Sequence, residues 1–293
     1  MSSDSDYLLE QIASTNASKE PTNSSLLIKI RELWKQAIYY AGKDYIAEFL
    51  ATFVLMIFGT GSVAQVLLSQ NKFGDWLSIN LSWGFGVTFG CYMAMGISGA
   101  HMNPAVTLAM VVLRRLSWKK IIGYWIAQYL AAFLSSAIVF GIYYDALERF
   151  ENFTDTGHRS IATAGIWATY PQEFVSNVTG FFDQVLGTFL LVLGVVAICD
   201  GCNTEPKHGL KPFMIGLLVV AIGATYGYNC GYAINPARDF SPRLFTFCAG
   251  WGTQVFTHHN YWFWIPIVAP SIGGILGGLT YVLLIELHHT QNY

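Results

Sequence analysis

Charged residues are scarce in this chain. They make up 12% of its 293 residues, and the formal net charge at pH 7 is −2. No run of lysine and arginine is dense enough to follow a phosphate backbone, so we expect no nucleic-acid partner. The sequence also lacks the His-Glu-x-x-His and Gly-x-Ser-x-Gly motifs of zinc peptidases and serine hydrolases, and we expect neither an enzyme activity nor a cofactor.

Cysteine is also scarce, with five residues. Most of them lie in or beside apolar segments, where a free thiol packs like a small hydrophobic side chain. Cys199 and Cys202 have the spacing of a redox or metal-binding pair, but no second pair and no histidine pair follows them. We therefore expect no disulfide framework and no metal site.

Apolar residues, in contrast, dominate the composition. They account for 53% of the chain, and the mean hydropathy is +0.42. Several apolar stretches approach the roughly 20 residues that a membrane-spanning helix needs. There are six, at residues 46–68, 76–96, 121–144, 181–198, 212–227 and 262–285. The sequence therefore predicts an all-α integral membrane protein with six transmembrane helices.

One short motif occurs twice, as Asn103-Pro104-Ala105 and as Asn235-Pro236-Ala237. In each copy the asparagine can cap a helix whose first residue is proline. The apolar runs that follow, residues 105–113 and 237–247, are too short to cross a bilayer. Each motif therefore predicts a re-entrant half-helix that begins inside the membrane.

The repeat extends beyond the two motifs. Residues 48–55 resemble residues 184–191, and each segment precedes its motif by a similar distance. Because three spans separate the two copies, the second half must run through the bilayer upside down relative to the first, as an inverted repeat. The N-termini of the two half-helices then meet near the midplane, where their dipoles and the asparagine amides oppose cations and protons.

Extended segments lead into both half-helices and can turn backbone carbonyl groups towards the lumen. Such carbonyls would accept hydrogen bonds from a neutral hydroxylic solute on a wall that is otherwise apolar. The residues expected to supply them are Gly99, Ala100, His101, Gly231, Tyr232 and Ala233. We expect the side chain of His101 to brace its loop, because buried polar groups are normally hydrogen-bonded.

The distribution of charge predicts the orientation in the membrane. Residues 114–120 form a basic loop with no acidic side chain, whereas residues 145–179 carry more acidic than basic side chains. Basic loops favour the cytoplasmic side, so the loop before the third span should be cytoplasmic and residues 145–179 should lie outside. Six spans then place both termini in the cytoplasm.

The predicted domain organisation follows from these spans. Cytosolic tails at residues 1–43 and 289–293 flank a channel domain at 44–288, which comprises a first half (44–144), an outer loop (145–179) and a second half (180–288). Within the first tail, residues 26–40 have an apolar stripe beside basic residues and form either a helix on the membrane surface or a loosely helical linker. Two sequons in the outer loop make Asn152 and Asn177 candidates for glycosylation.

These features resemble the aquaporin family, and specifically its aquaglyceroporin branch. The resemblance covers residues 45–287 and rests on two complete Asn-Pro-Ala motifs in order. Asp239 directly after Arg238, and the Pro266-Ile267 pair in the sixth span, are similar to the glycerol-conducting branch. The resemblance implies six tilted helices with two half-helices, a homotetramer with one pore in each protomer, and a location in the plasma membrane.

The resemblance also implies a narrowest ring and its supports. The ring residues are Trp83, Gly223, Tyr232 and Arg238. Gly223 stands where a strict water channel usually carries histidine, so the missing side chain should widen the ring. Tyr232 replaces the phenylalanine of some members. The aromatic residues would face the C–H edge of a polyol, and the arginine would donate to its hydroxyl groups. The loop supports are Glu48, Gln184 and Asp239, and the glutamine stands where other members have glutamate.

We therefore predict a passive channel for glycerol, water and other small neutral solutes that excludes ions and protons. A water-selective channel is the alternative within the family. A proton-coupled transporter also uses inverted repeats and broken helices, but it needs titratable groups near the midplane. Apart from Glu48, and Asp183 near an interface, the predicted spans carry no acidic residue, which favours the channel.

Overall fold

The computed structural model describes residues 22–151, 159–207 and 209–289, and every regular element in these ranges is helical. The chain divides into two compact units, residues 1–43 and residues 44–293. Helix α1 (Thr22–Ala41) belongs to the first unit, and the pore described below belongs to the second.

Helix α1 is amphipathic. Large apolar side chains recur at three- and four-residue intervals and stay exposed, as at Leu27, Ile30 and Trp34. Lys35 forms an exposed ion pair with Glu32, one turn earlier. The structure thus has a continuous helix of 20 residues where the sequence leaves a choice between a helix and a loosely helical linker. Binding of its apolar face to a membrane surface stays a prediction.

The α-helices of the second unit, within the described ranges, comprise long spans and short segments. They are α2 (Lys43–Leu68), α3 (Trp76–Ala94), α4 (Pro104–Val112), α5 (Ile121–Ile142), α6 (Tyr144–Glu151), α7 (Ile161–Ala164), α8 (Asn177–Cys199), α9 (Leu210–Cys230), α10 (Pro236–Thr246), α11 (Gln254–Tyr261) and α12 (Ile265–Leu284). Single 3₁₀ turns at Trp118–Lys120, Trp262–Trp264 and Glu286–His288, and a π-helical turn at Phe247–Trp251, connect or end them.

Five of these helices are long and apolar enough to cross a membrane, namely α2, α5, α8, α9 and α12. The remaining predicted span, α3, has 19 residues and is less apolar because it carries polar side chains such as Ser78, Asn80 and Ser82. It packs along α9 and lines the pore with one face, so it does not need to be apolar all round. The arrangement therefore has the six spans and two half-helices that the sequence predicts.

Glycine residues bring pairs of spans into backbone contact. A Cβ atom added to Gly273 of α12 would lie 2.1 Å from the carbonyl oxygen of Val185 in α8, which no side chain can tolerate. In the same way, a Cβ atom on Gly216 of α9 would lie 2.4 Å from the carbonyl oxygen of Gly84 in α3. Membrane helices associate through such close packing, because lipid supplies no hydrophobic driving force between them.

The start of α2 and the segment just after α12 lie at one end of the helix bundle. Lys120, just before α5, pairs with Asp44 at the start of α2, and Arg115 pairs with Glu286, just after α12. The two ends can meet the same loop only if the chain crosses the bundle an even number of times. The basic loop has no acidic side chain of its own, and two acidic side chains that are distant in sequence fold beside it.

The connection between α5 and α8 is partly helical. It contains α6 and α7, and α8 begins at Asn177, inside the stretch 145–179 that the sequence treats as a loop. Arg159 is buried in this connection and forms ion pairs with Glu148 and Glu151. Its guanidinium also lies 5.1 Å from the ring centroid of Trp251. These contacts fix the connection against the segment that follows α10.

The chain after α12 is tied to the loop after α8 through Asp200. Its carboxylate accepts hydrogen bonds from His289 at 2.6 Å, from the Tyr281 hydroxyl at 2.8 Å and from the Cys202 N–H at 2.9 Å. The bond from His289, above all, lowers the pKa of Asp200 to about 2. A carboxyl whose pKa is lowered by folding stabilises the fold above its unfolded pKa of about 4, and this contribution disappears as the pH falls through the folded pKa.

We therefore expect Asp200→Asn to loosen the C-terminal segment at neutral pH. Hydrogen exchange of the backbone amides at residues 285–289, followed by mass spectrometry, should become several-fold faster. Glu205→Gln is the matched control, because Glu205 lies in the same loop but bonds Lys211. Equal exchange in the two variants would remove Asp200 from this role. In the wild type, protection should persist down to about pH 4, since the carboxylate is still ionised there.

Candidate functional site

The two Asn-Pro-Ala motifs start the half-helices α4 and α10 at their proline residues. The Asn103 side chain accepts a hydrogen bond from the Ala105 N–H at 2.9 Å, and the Asn235 side chain accepts one from the Ala237 N–H at 3.0 Å. Each cap satisfies an N–H group that the first helical turn would otherwise leave without a partner. The caps thus fix both half-helix N-termini.

The two motifs are also bonded to each other. The side-chain amide of Asn103 donates to the Ile234 carbonyl, and that of Asn235 donates to the Met102 carbonyl, both at 2.8 Å. Each asparagine therefore holds the loop of the opposite half, and the second N–H of each amide has no acceptor among the described residues. The N-termini of the half-helices consequently meet, as the inverted repeat predicts.

The loops before the half-helices repeat one strained backbone conformation. Two residues before each asparagine have a positive φ. Three positions before the asparagine, φ is 50° at Ala100 and 37° at Tyr232, and directly before the asparagine it is 52° at Met102 and 42° at Ile234. Residues other than glycine rarely adopt this region, and such strain concentrates at functional sites. We interpret it as the consequence of turning successive carbonyl groups out of the loop.

Carbonyl groups of these loops are free to act as acceptors. Among the described residues, no donor bonds the backbone oxygens of Gly99, Ala100, His101, Gly231, Tyr232 and Ala233. Five of these six residues line one cavity, and Gly231 lines a second. A row of unbonded acceptors beside a cavity is what a hydroxylic solute requires.

The two cavities meet inside the bundle. The first, which we call the inner cavity, has a volume of about 300 Å³, passes both motifs and is lined mainly by apolar side chains such as Leu191 and Val219. The second, the outer cavity, has a volume of about 620 Å³ and reaches the connection between α5 and α8. Among the described residues, those that line both cavities are Trp83, Tyr232 and Arg238. These three side chains, which we call the partition, are therefore passed by any solute that moves between the cavities.

Arg238 is held firmly at the partition. The residue is 7% exposed, its guanidinium donates to the Trp167 carbonyl at 2.8 Å, and its Cζ lies 4.4 Å from the ring centroid of Trp83. A guanidinium has five N–H donors in a rigid fork, so donors remain for a solute after the bond to Trp167. The arrangement combines a fixed positive charge with an aromatic wall.

Gly223 contributes to the partition indirectly. Among the described residues, those that line the two cavities do not include Gly223. A Cβ atom on this glycine would lie 2.5 Å from Cζ of Tyr232 and 2.4 Å from Oδ1 of Asn80. The space beside this glycine is taken by the tyrosine ring, and the expectation that the missing side chain widens the ring of filter residues stays a prediction. Glycine at this position instead lets the ring lie back against α9.

Glu48 and Gln184 occupy equivalent positions in the two halves. Glu48 is fully buried, and its carboxylate accepts four hydrogen bonds of 2.7 to 2.8 Å; the donor atoms are Ser98 Oγ, His101 N, Met102 N and Gln128 Nε2. Such bonds offset the cost of burying a carboxylate. Gln184 accepts one bond, from the Ile234 N–H at 3.0 Å. The first loop is therefore held by more bonds than the second.

His101 has partners for its side chain within the first loop. Its Nδ1 lies 3.2 Å from the Thr107 hydroxyl, and its ring centroid lies 5.2 Å from that of Tyr124. The side chain thus braces the loop while the backbone of the same residue lines the inner cavity.

Asp239 anchors the outer loop through partners that the sequence analysis missed. Its carboxylate accepts bonds from the N–H and the hydroxyl of Thr169, at 2.7 and 2.5 Å, and pairs with Arg243 at 2.7 Å. Arg243 is fully buried and also donates to the carbonyls of Thr169 and Val255. The i, i+4 spacing of Asp239 and Arg243 is a signal that could have revealed the ion pair, but no local pattern indicates the loop partners.

The two candidate glycosylation sites differ in their surroundings. Asn152 lies outside the described residues. Asn177 begins α8, and its side-chain nitrogen donates to the Asn260 carbonyl at 3.0 Å. Because an N-linked glycan attaches to that nitrogen, this bond disfavours Asn177.

Comparisons with known proteins agree with this geometry. The family profile described as Major intrinsic protein matches residues 36–281. Aquaporin-10 of Milnesium tardigradum is 45% identical over 290 residues, which cover 94% of this chain and 71% of that protein. Aquaporin-9 of Homo sapiens is 47% identical over 249 residues, which cover 85% of this chain and 84% of that protein. The X-ray structure of the aquaglyceroporin from Plasmodium falciparum superimposes with a TM-score of 0.74 at 33% identity, covering 83% of this chain and 96% of that one.

Proposed function

The chain belongs to the major intrinsic protein family, and we infer from its pore that it conducts glycerol, water and other small neutral solutes passively across a membrane. It is an integral membrane channel and not an enzyme. The observation that carries the choice of solute is the partition, where two aromatic rings and one guanidinium separate the cavities.

The partition matches the two edges of a polyol. One edge of glycerol consists of C–H groups and packs against the rings of Trp83 and Tyr232, whereas the hydroxyl edge accepts hydrogen bonds from the Arg238 fork. The unbonded loop carbonyls then accept the hydroxyl hydrogens. A solute thus exchanges its bonds to water for bonds to the pore, and no covalent bond is made or broken.

Ions and protons are opposed at two places. The first is the fixed charge of Arg238 at the partition. The second is the meeting point of α4 and α10, where the positive ends of two helix dipoles and one N–H of each capping asparagine face the lumen. A cation therefore meets positive potential and donors where it needs acceptors.

The alternatives fit this geometry less well. A coupled transporter needs a titratable group that is free to bind a proton or ion, but Glu48 accepts four hydrogen bonds and Asp183 accepts bonds from Gln184 and Asn229. A water-selective channel needs no apolar wall opposite its donors, whereas aromatic rings form two of the three partition positions here.

Stopped-flow light scattering on proteoliposomes tests the proposal. After an inward glycerol gradient is imposed, the vesicles should shrink and then reswell faster than protein-free vesicles, because glycerol enters and water follows. Vesicles with rapid water exchange but no added glycerol flux would assign the protein to the water-selective alternative.

A substitution at Gly223 tests the position of the partition. Gly223→His puts an imidazole where the Tyr232 ring lies, so the ring must move into the lumen, and glycerol permeability should fall about tenfold while water permeability falls less. Gly141→His is the matched control, because a Cβ atom there meets nothing within 4 Å. If the ratio of glycerol to water permeability is the same in Gly223→His and in the control, the partition does not decide solute selectivity.

We further propose a homotetramer in the plasma membrane with both termini cytoplasmic. The four basic residues at 114–120 support this orientation, and the contacts of Lys120 and Arg115 support termini on one side. Native mass spectrometry tests the tetramer.

The proposed glycan is on Asn152, so Asn152→Gln should remove an enzymatically cleavable mass shift that Asn177→Gln retains.

A further inference from the structure

Three polar atoms behind the partition have no hydrogen-bond partner within the described part of the chain. They are both side-chain polar atoms of Asn80 and the hydroxyl oxygen of Tyr232. Asn80 is fully buried in α3, one turn before Trp83. Buried polar groups without partners are uncommon, because they lose their bonds to water and gain none in return. Three such atoms beside the partition would be stabilised if they formed hydrogen bonds with one another.

The two side chains face the same small space. Oδ1 of Asn80 and Cζ of Tyr232, the ring carbon that carries the hydroxyl, both lie within 2.5 Å of the point where Gly223 would carry a Cβ atom. Any side chain at this position would push them apart. Glycine here thus allows a carboxamide and a phenol to come together.

Trp76 closes another side of the tyrosine ring. The two rings meet edge to face with centroids 5.9 Å apart, and the indole N–H of Trp76 donates to the Gly223 carbonyl at 3.3 Å. Tyr232 also lies in the strained loop, with a φ of 37°. Since Trp76 and Gly223 bound the ring, the open direction for its movement is the lumen that it already lines.

We propose that Asn80 is a positioning residue of the filter. After a small rotation its carboxamide oxygen accepts the hydroxyl hydrogen of Tyr232 and holds the ring back from the lumen. The bond satisfies both groups, and the width of the partition depends on it. This inference rests on the proposed function, because it adds a residue that sets the solute selectivity of the same partition.

A double-mutant cycle tests the pairing. Asn80→Leu keeps the volume but removes the polar partner, so the Tyr232 hydroxyl turns towards the lumen and narrows the partition. The ratio of glycerol to water permeability should then fall about fivefold or more. In the Tyr232→Phe background there is no hydroxyl to release, and Asn80→Leu should change the ratio by less than about twofold.

Thr52→Val is the matched control, because it removes another buried hydroxyl without a partner in the described residues, on α2, and should leave the ratio unchanged. The ratio does not depend on how much channel is folded, and thermal unfolding of each variant reports stability separately. An equal fall of the ratio in both backgrounds would give Asn80 a general packing role and overturn the proposal, as would an unchanged ratio in Asn80→Leu.

Glycerol flux through the wild type distinguishes a wrong solute from a wrong role of Asn80. If the wild type conducts water but no glycerol, the proposed solute is wrong. The same cycle can then be followed in water permeability alone, where Asn80→Leu should reduce flux in the Tyr232 background and not in the Tyr232→Phe background.

Discussion

Replacement of Glu48 by alanine should abolish most of the conduction through the pore. The carboxylate accepts four hydrogen bonds, two of them from backbone N–H groups of the loop before α4. Each buried donor left without an acceptor costs roughly 1–3 kcal/mol, so the loop should abandon its strained conformation. Glycerol permeability per folded channel should fall about tenfold or more, since the carbonyl groups at residues 99–101 lose their orientation.

The inverted repeat supplies a matched comparison. Gln184→Ala alters the equivalent residue of the second half but removes one backbone hydrogen bond, so the loss of permeability should be under about threefold. Glu48→Gln, which keeps one acceptor oxygen, should lie between the two. Stopped-flow flux, normalised to folded protein by size-exclusion chromatography, measures all three. Equal losses in Glu48→Ala and Gln184→Ala would show that the number of hydrogen bonds does not decide loop geometry.

Replacement of Arg238 by valine should make the channel leak small cations or protons. The substitution removes the fixed charge at the partition and leaves the Trp167 carbonyl without its donor. We expect proton or cation permeability to rise about tenfold, because the remaining barrier is the pair of half-helix dipoles. Decay of a pH gradient, followed with a dye trapped in proteoliposomes, measures the proton leak.

Arg238→Lys separates charge from geometry. Lysine keeps the positive charge but lacks the planar fork, so the leak should stay low while the glycerol-to-water ratio falls. If Arg238→Val folds and stays tight to protons and cations, the dipoles of α4 and α10 are sufficient for exclusion and the role assigned to the arginine charge is wrong.

Much of the fold could be predicted because its signals are local. Five spans are recognisable from the length and apolar composition of their sequence segments, and an asparagine cap followed by proline gives the starts of α4 and α10. The inverted repeat predicts that the two motifs meet, and the reciprocal bonds of Asn103 and Asn235 join them. The interior of α3 is the weaker case, because a helix that lines a pore carries polar residues such as Asn80 and loses part of its hydropathy signal.

The environment of the filter could not be predicted from local signals. Sequence alone assigns the space at Gly223 to the lumen, but the ring that fills it comes from a loop residue whose side-chain direction depends on a positive φ. The bonds of Arg243 and Asp239 to Thr169 likewise depend on where the connection between α5 and α8 folds back. Such contacts are tertiary, and no periodicity along the chain encodes them.

The level to which glycerol fills the vesicles decides whether this protein is a passive pore or a coupled transporter. Radiolabelled glycerol is supplied to proteoliposomes with and without an imposed proton or sodium gradient. We predict that the internal concentration reaches that of the medium in every case and that the gradients change neither the rate nor the end point. The reason is that Glu48 and Asp183, the two acidic residues of the predicted spans, both have hydrogen-bond partners in the described part of the chain. Accumulation of glycerol above the concentration of the medium, in response to either gradient, would contradict the account.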